Sequence, residues 1–137
     1  MNASPHTAQA PLIQLLYTSH LAPSARISDM AVIARASRLR NAEQGITGSL
    51  VFDGQRFGHY LEGPEAALLG LWQKLREDSR HHQVVLRHHA PLTHPRRFAS
   101  SSLGYALAQD ESALDPLDEA WGEPAVAALV AALACCV

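Results

Sequence analysis

The chain has 137 residues, 47% hydrophobic and 18% charged, which suits one self-sufficient core and is too apolar for a disordered chain. Eleven Lys and Arg stand against thirteen Asp and Glu, a net charge of −2, so no global charge favours nucleic acid. The two cysteines, Cys135 and Cys136, are adjacent and staple nothing, no signal-peptide pattern opens the chain, and no apolar run reaches the roughly 18–20 residues of a membrane span, so a cytoplasmic protein off the membrane is expected.

Residues 1–10 are small, polar and Pro-containing and read as a flexible tail. Residues 12–19 (LIQLLYTS) form an apolar run of strand length. Ser28 is a plausible N-cap with Asp29 in the first turn, and Met30, Ile33, Ala34, Ser37 and Asn41 then fall at helical spacing until Gly45 ends the helix. Residues 46–53 and 55–62 read as two strands joined by the hairpin signal Asp53-Gly54. A second helix follows over 65–78, with Leu68, Leu71, Trp72 and Leu75 as its apolar stripe. A fourth strand is expected over 82–92, a fifth over 101–108, an acidic connector over 109–124 and a last helix over 124–136.

The first six elements run βαββαβ, the order of a ferredoxin-like α+β fold. Two helices are expected on one face of the sheet. The apolar residues Val126, Leu129, Val130 and Leu133 of the last helix are expected on the other. The strands support this, because Leu16 and Tyr60 fall out of phase with Tyr17 and His59 and need cover of their own.

Charge is less even than the total. Residues 74–97 hold six bases, two acids and five of the eight His, whereas residues 110–123 hold six acids and no base. Such runs read either as solvated surfaces or as faces that dock, within the chain or with a partner.

The first helix carries Ser37 and Asn41 on the stripe that Met30, Ile33 and Ala34 begin. Tyr17 shares a strand face with Ile13 and Leu15, and His59 with Phe57 and Leu61. With both faces toward the helices, Tyr17, His59, Ser37 and Asn41 converge on one cavity, an apolar pocket with a few polar groups. The pairs His81-His82 and His88-His89 lack metal-ligand spacing, since neighbours on a strand face opposite ways, and no metal site is expected.

The blocks Leu15-Leu16-Tyr17-Thr18-Ser19, Ser37-Arg38-Leu39-Arg40-Asn41, Gly45-Ile46-Thr47-Gly48, Phe57-Gly58-His59-Tyr60-Leu61-Glu62-Gly63-Pro64 and Asp78-Ser79-Arg80-His81, at these separations, resemble the BLUF family. Its members are bacterial blue-light sensors that hold FAD between two helices of a ferredoxin-like domain. The resemblance covers about residues 11–108, and residues 109–137 resemble the extension of short, stand-alone members. It implies FAD as cofactor and Tyr17 as electron donor to the excited flavin. It implies that Asn41 holds the ring edge, and that Ser37, Asp78, Arg80 and His81 lie by the flavin, ribityl or phosphate portions. An Asn amide offers a ring edge both a donor and an acceptor, and an Arg suits a pyrophosphate.

The chain departs from the family at its photochemical centre. His59 stands where the family has a Gln whose amide rearranges after electron and proton transfer, and Ser101 and Leu103 stand at its usual Trp and Met. The two Trp present, Trp72 and Trp121, lie elsewhere. The reading is a non-enzymatic, FAD-binding photoreceptor-like module acting through a separate protein partner or a homo-oligomer, with a photocycle altered or lost at His59. The alternative is a flavin-free protein–protein interaction domain on the same fold.

Overall fold

A computed structural model describes residues 11–134 and 136. The expected N-terminal tail and Cys135 lie outside them. Strands β1 (Leu12–Leu21), β2 (Thr47–Phe52), β3 (Arg56–Pro64), β4 (His81–Pro91) and β5 (Gly104–Leu107) form one sheet in the order β4-β1-β3-β2-β5. The neighbours of β1 and β3 are antiparallel, and β5 runs parallel to β2 at one edge. Helices α1 (Met30–Glu43) and α2 (Glu65–Glu77) are the two crossovers. The first four strands and two helices therefore have the ferredoxin-like topology expected from the βαββαβ order.

Local sequence chemistry sets the turns. Gly45 ends α1 at φ 72°, and Gly54 turns the β2–β3 hairpin at φ 98°, both in the left-handed region that Gly occupies without steric cost. Asp53 caps that hairpin, its carboxylate accepting from the backbone N–H groups of Gln55 and Arg56. The N-terminus of α1 differs from the expected Ser28 cap. A 3-10 turn over Ile27–Asp29 precedes the helix, and neither end-residue side chain caps it.

Strand alternation divides the core into two layers. On one face Ile13, Leu15, Tyr17 and Leu61 pack with Leu68 and Leu71 of α2, while Met30 of α1 meets Phe52 and Phe57. On the other face Leu16, Val51 and Tyr60 pack with Val126 and Leu129 of helix α4 (Glu123–Ala134), together with Leu114 and Leu117 around the short helix α3 (Asp115–Asp118). The C-terminal helix covers the sheet face opposite α1 and α2, as the out-of-phase residues require. Gly58 makes room for it, since a Cβ there would stand 2.6 Å from Leu117 Cδ2 and 3.1 Å from Leu129 Cδ1.

The acidic connector is docked rather than free. Arg56 pairs with Asp53, Asp115 and Asp118, and Arg97 with Glu123. The Arg87 guanidinium lies 4.5 Å from the Trp121 ring centroid. Of these basic partners Arg87 and Arg97 belong to the basic run, while Arg56 lies outside it. Beneath Arg97, the fully buried Glu62 carboxylate accepts from the backbone N–H groups of Arg97 and Phe98 and from the Tyr60 hydroxyl. These bonds fasten the segment before β5 to the sheet.

The fifth strand is shorter than the expected 101–108. The Ser101 carbonyl accepts from Gly48 N–H, the Ser102 carbonyl from Asn41 Nδ2 and the Leu103 carbonyl from Arg38 Nε. These three carbonyls are thus turned onto β2 and α1, and β5 begins only at Gly104.

Candidate functional site

Tyr17 and His59 are direct cross-strand partners in the β1–β3 register, and their shared face looks toward α1 and α2. The Tyr17 hydroxyl and His59 Nδ1 are 2.9 Å apart, and the two rings meet edge to face with centroids 5.3 Å apart. Burial, and secondly the nearby Asp78 carboxylate, push the Tyr17 phenol well above its ordinary range, so it keeps its proton. Burial, and secondly His81, lower the His59 imidazole from 6.5 to about 3, so it is neutral. With the Tyr17 hydroxyl donating to Nδ1, the imidazole proton sits on Nε2. That Nε2 is buried and has no hydrogen-bond partner among the described residues.

Both side chains line a cavity between the helices, of about 80 Å³ and open to solvent. Met30, Ile33 and Ala34 from α1, Leu50 and Phe57 from the sheet, Leu75 from α2 and Leu103 supply its apolar walls. Ser37, Asp78, Arg80 and His81 also line it. The stripe read from the sequence of α1 is therefore the cavity wall as far as Ser37.

Asp78 and Arg80 form an ion pair in which the Arg80 side chain is 51% exposed, which places them at the cavity mouth. Hydrogen bonding from Arg80 holds the Asp78 carboxyl below its ordinary range, and Asp78 raises the guanidinium in turn. His81 is held at both ring nitrogens. Its Nε2 donates to the Leu75 carbonyl at 2.5 Å, and its Nδ1 lies 2.8 Å from Ser19 Oγ. It therefore ties the end of α2 to β1 and presents its ring to the cavity.

Asn41 does not line this cavity with Ser37. It is buried, its Nδ2 donates to the Ser102 carbonyl at 3.1 Å, and it walls an adjoining space with Gln44, Gly70, Leu71 and Lys74. Asn41 is one helical turn beyond Ser37 on α1, and Leu71 one turn before Leu75 on α2. The two spaces thus follow one another along α1 and α2.

Two features were not read from the sequence. Leu103 is 2% exposed and closes the cavity on the side of the segment before β5, whereas Ser101 is half-buried in that segment and outside the lining. Trp72 rests against Tyr17, ring centroids 5.2 Å apart. A half-buried position on an apolar helix stripe gave no sign of that second contact.

The family described as "BLUF: Sensors of blue-light using FAD" matches residues 12–104. The photoactivated adenylate cyclase subunit beta of Euglena longa is 34% identical over 114 residues, covering 82% of this chain and 13% of that protein. The subunit alpha of Euglena gracilis is 38% identical over 104 residues, covering 75% and 10%. The chain thus spans about a tenth of the length of these curated relatives. The solved dark-state structure of BlrB, a BLUF protein, superposes with a TM-score of 0.77 at 32% identity, covering 91% of this chain and 96% of that one. With a matching family profile over most of its length, the ferredoxin-like sheet and a tyrosine-bearing cavity beneath two helices, the chain belongs to the BLUF family of flavin-binding blue-light sensors.

Proposed function

We propose that this domain binds FAD in the α1–α2 groove, responds to blue light through the Tyr17–His59 pair, and hands any change to a separate protein partner or a second copy. The observation that carries the reading is His59, which lines the cavity beside its hydrogen-bond partner Tyr17 and whose buried Nε2 has no partner among the described residues. A buried polar atom without a partner costs about 1–3 kcal/mol, and a polar ring edge in the cavity removes that cost.

The residues present fit a flavin. The apolar walls suit a planar ring, Asn41 offers an amide farther along the groove, and Arg80 at the mouth suits a phosphate. Bound flavin would supply the chromophore and the electron acceptor. Tyr17 then serves as electron donor, and His59 Nδ1 receives the phenolic proton across their hydrogen bond. The apolar walls keep water from that bond. Ser37, Asp78 and His81 shape the groove beside Arg80. Residues 11–108 are read as the flavin-binding unit and 109–137 as its cover.

His59 sets this member apart. An amide can rotate and tautomerise to exchange its donor and acceptor. The imidazole is held at Nδ1 and returns the proton it receives, because burial disfavours its charged form. The photocycle is therefore altered or lost at His59. A second reading is favoured by two self-contained contacts: Asp78 satisfies Arg80, and the Ser102 carbonyl satisfies Asn41, without any ligand. On that reading the domain is a flavin-free protein–protein interaction module.

The test is flavin retention. The purified chain is incubated with FAD and, separately, FMN, desalted, and examined for flavin absorption, and the chromophore released on denaturation is identified by chromatography. Retained FAD is expected. A chain that stays colourless after both incubations overturns the flavin reading and leaves the interaction module.

A further inference from the structure

Trp72 belongs to the α2 stripe that covers the sheet, but its indole lies against the Tyr17 ring, centroids 5.2 Å apart and planes 43° apart. Tyr17 is 3% exposed, whereas Trp72 is half-buried. Tyr17 lines the cavity and Trp72 does not. Trp72 thus touches a cavity-lining ring without lining the cavity itself, so the phenol offers an electron leaving the indole a contact route to the cavity. The Arg76 guanidinium lies 6.0 Å from the indole centroid.

Resting on the flavin-bound reading above, we infer that Trp72 is an electron relay that refills Tyr17 after the light-driven step. In that step Tyr17 gives one electron to the photoexcited flavin. Its O–H bond breaks, and the proton forms an N–H bond at His59 Nδ1, 2.9 Å away. The resulting imidazolium is buried beside His81, in surroundings that favour the neutral ring. An electron from Trp72 then reduces the tyrosyl oxygen while the proton returns from Nδ1, remaking the O–H bond. Tyr17 and His59 regain their starting state, and the net transfer is one electron from Trp72 to the flavin.

The indole then loses its N–H proton to water, to which its partial exposure gives access. The Arg76 guanidinium supports that loss. A cation over an indole face is attracted to a neutral ring and repelled by a positive one. The hole thus ends on a surface-accessible neutral indole radical. The relay follows from His59, because a proton held loosely on a buried imidazole is available for return when the second electron arrives.

Contact with Tyr17 would also follow from packing alone, since Trp72 flanks the cluster of Leu68 and Leu71. Radical identity separates the two roles. The chain has two tryptophans, so Trp121→Phe leaves Trp72 as the single one. The flavin-loaded W121F protein is flashed with blue light and followed by transient absorption and electron paramagnetic resonance. A tryptophanyl signal is expected in W121F and is lost in W72F/W121F, where the tyrosyl signal lives at least ten-fold longer. The signal is also lost in Y17F/W121F, because the relay runs through the phenol. In R76Q/W121F, which leaves the Tyr17 contact intact, the protonated indole radical is expected to live at least two-fold longer.

Absence of a tryptophanyl signal in W121F, or an unchanged tyrosyl lifetime in W72F/W121F, overturns the relay. A tryptophanyl signal that survives in Y17F/W121F overturns it too, since the indole then donates directly. These results are read only on protein whose flavin absorption has been measured. A chain that takes up no flavin overturns the proposed function and the relay together, whereas loaded protein with an unchanged tyrosyl lifetime overturns the relay alone.

Discussion

The Tyr17 hydroxyl and His59 Nδ1 face each other at 2.9 Å across β1 and β3, and the second imidazole nitrogen is buried without a partner among the described residues. A neutral imidazole is thereby built into the core, which links stability to pH. In the folded chain the His59 pKa lies at about 3, against about 6.5 in the unfolded chain. Below about pH 6.5 the unfolded chain takes up a proton that the folded one refuses. The contribution is intact above that pH and is lost as pH falls toward 3, at no more than ~1.4 kcal/mol per unit. His59→Gln lacks this dependence. Between pH 6.5 and 5.0 the parent should lose about 1.6 kcal/mol relative to His59→Gln, as read from denaturant unfolding of both. A difference between the two that is independent of pH refutes a neutral buried His59.

Asn41 joins the cavity helix to the segment that ends in Leu103. It is 2% exposed, and its amide donates to the Ser102 carbonyl, while neighbouring Arg38 donates to the Leu103 carbonyl. Asn41→Ala should cost about 1–3 kcal/mol in denaturant unfolding, because a buried bond is lost and a carbonyl is left short of a donor. Leu103, no longer fixed through its neighbour, should shift, and flavin retention should weaken. A variant with the stability and flavin retention of the parent removes Asn41 from the site.

At Gly58 side chains of α3 and α4 press close on the sheet. Gly58→Ala places a Cβ against the ends of Leu117 and Leu129, and overpacking of this kind costs about 1–3 kcal/mol. The strain falls on the α4 side, so amide exchange in α4 should quicken while flavin retention stays near that of the parent. Unchanged exchange in α4 would show that the helix is not seated on Gly58.

The parts of this molecule that were legible in the sequence follow local periodicity. Alternation on β1 and β3 put Tyr17 and His59 on one face and Leu16 and Tyr60 on the other, because a strand repeats every two residues. The α1 stripe from Met30 to Ser37 proved to be cavity wall for the same kind of reason. What escaped depends on contacts distant in sequence. Asn41 shares the helical stripe, but Ser102, 61 residues away, claims its amide. Arg97 reads as part of a charged surface run, but its backbone N–H reaches the buried Glu62 and its guanidinium reaches Gln14. Trp72 reads as one more core residue, and only the folding of α2 onto β1 brings it to Tyr17.

His59→Gln is the substitution that asks most of the proposed function. In the parent, Tyr17 can pass a proton to Nδ1, but the imidazole is fixed by that same bond and favours its neutral form. Once the proton returns, each donor and acceptor around the cavity is where it began. Flavin-loaded parent protein should therefore show no lasting red shift of the flavin band after blue light. A Gln at this position supplies an amide that can exchange its donor and acceptor ends, and a red shift that decays in the dark is expected in His59→Gln alone. A lasting shift in the parent refutes the restraint assigned to the imidazole. Leu103 and Ser101 remain in the variant, and the Leu103 side chain still closes the cavity, so the spectral change need not reach the segment before β5. Amide exchange across residues 101–107, compared in light and dark, reads that step separately. Protection that is the same in light and dark, in a variant whose flavin band does shift, would place a second break in the signal at Ser101 and Leu103. Protection that changes with light would leave His59 as the one residue separating this domain from a working switch.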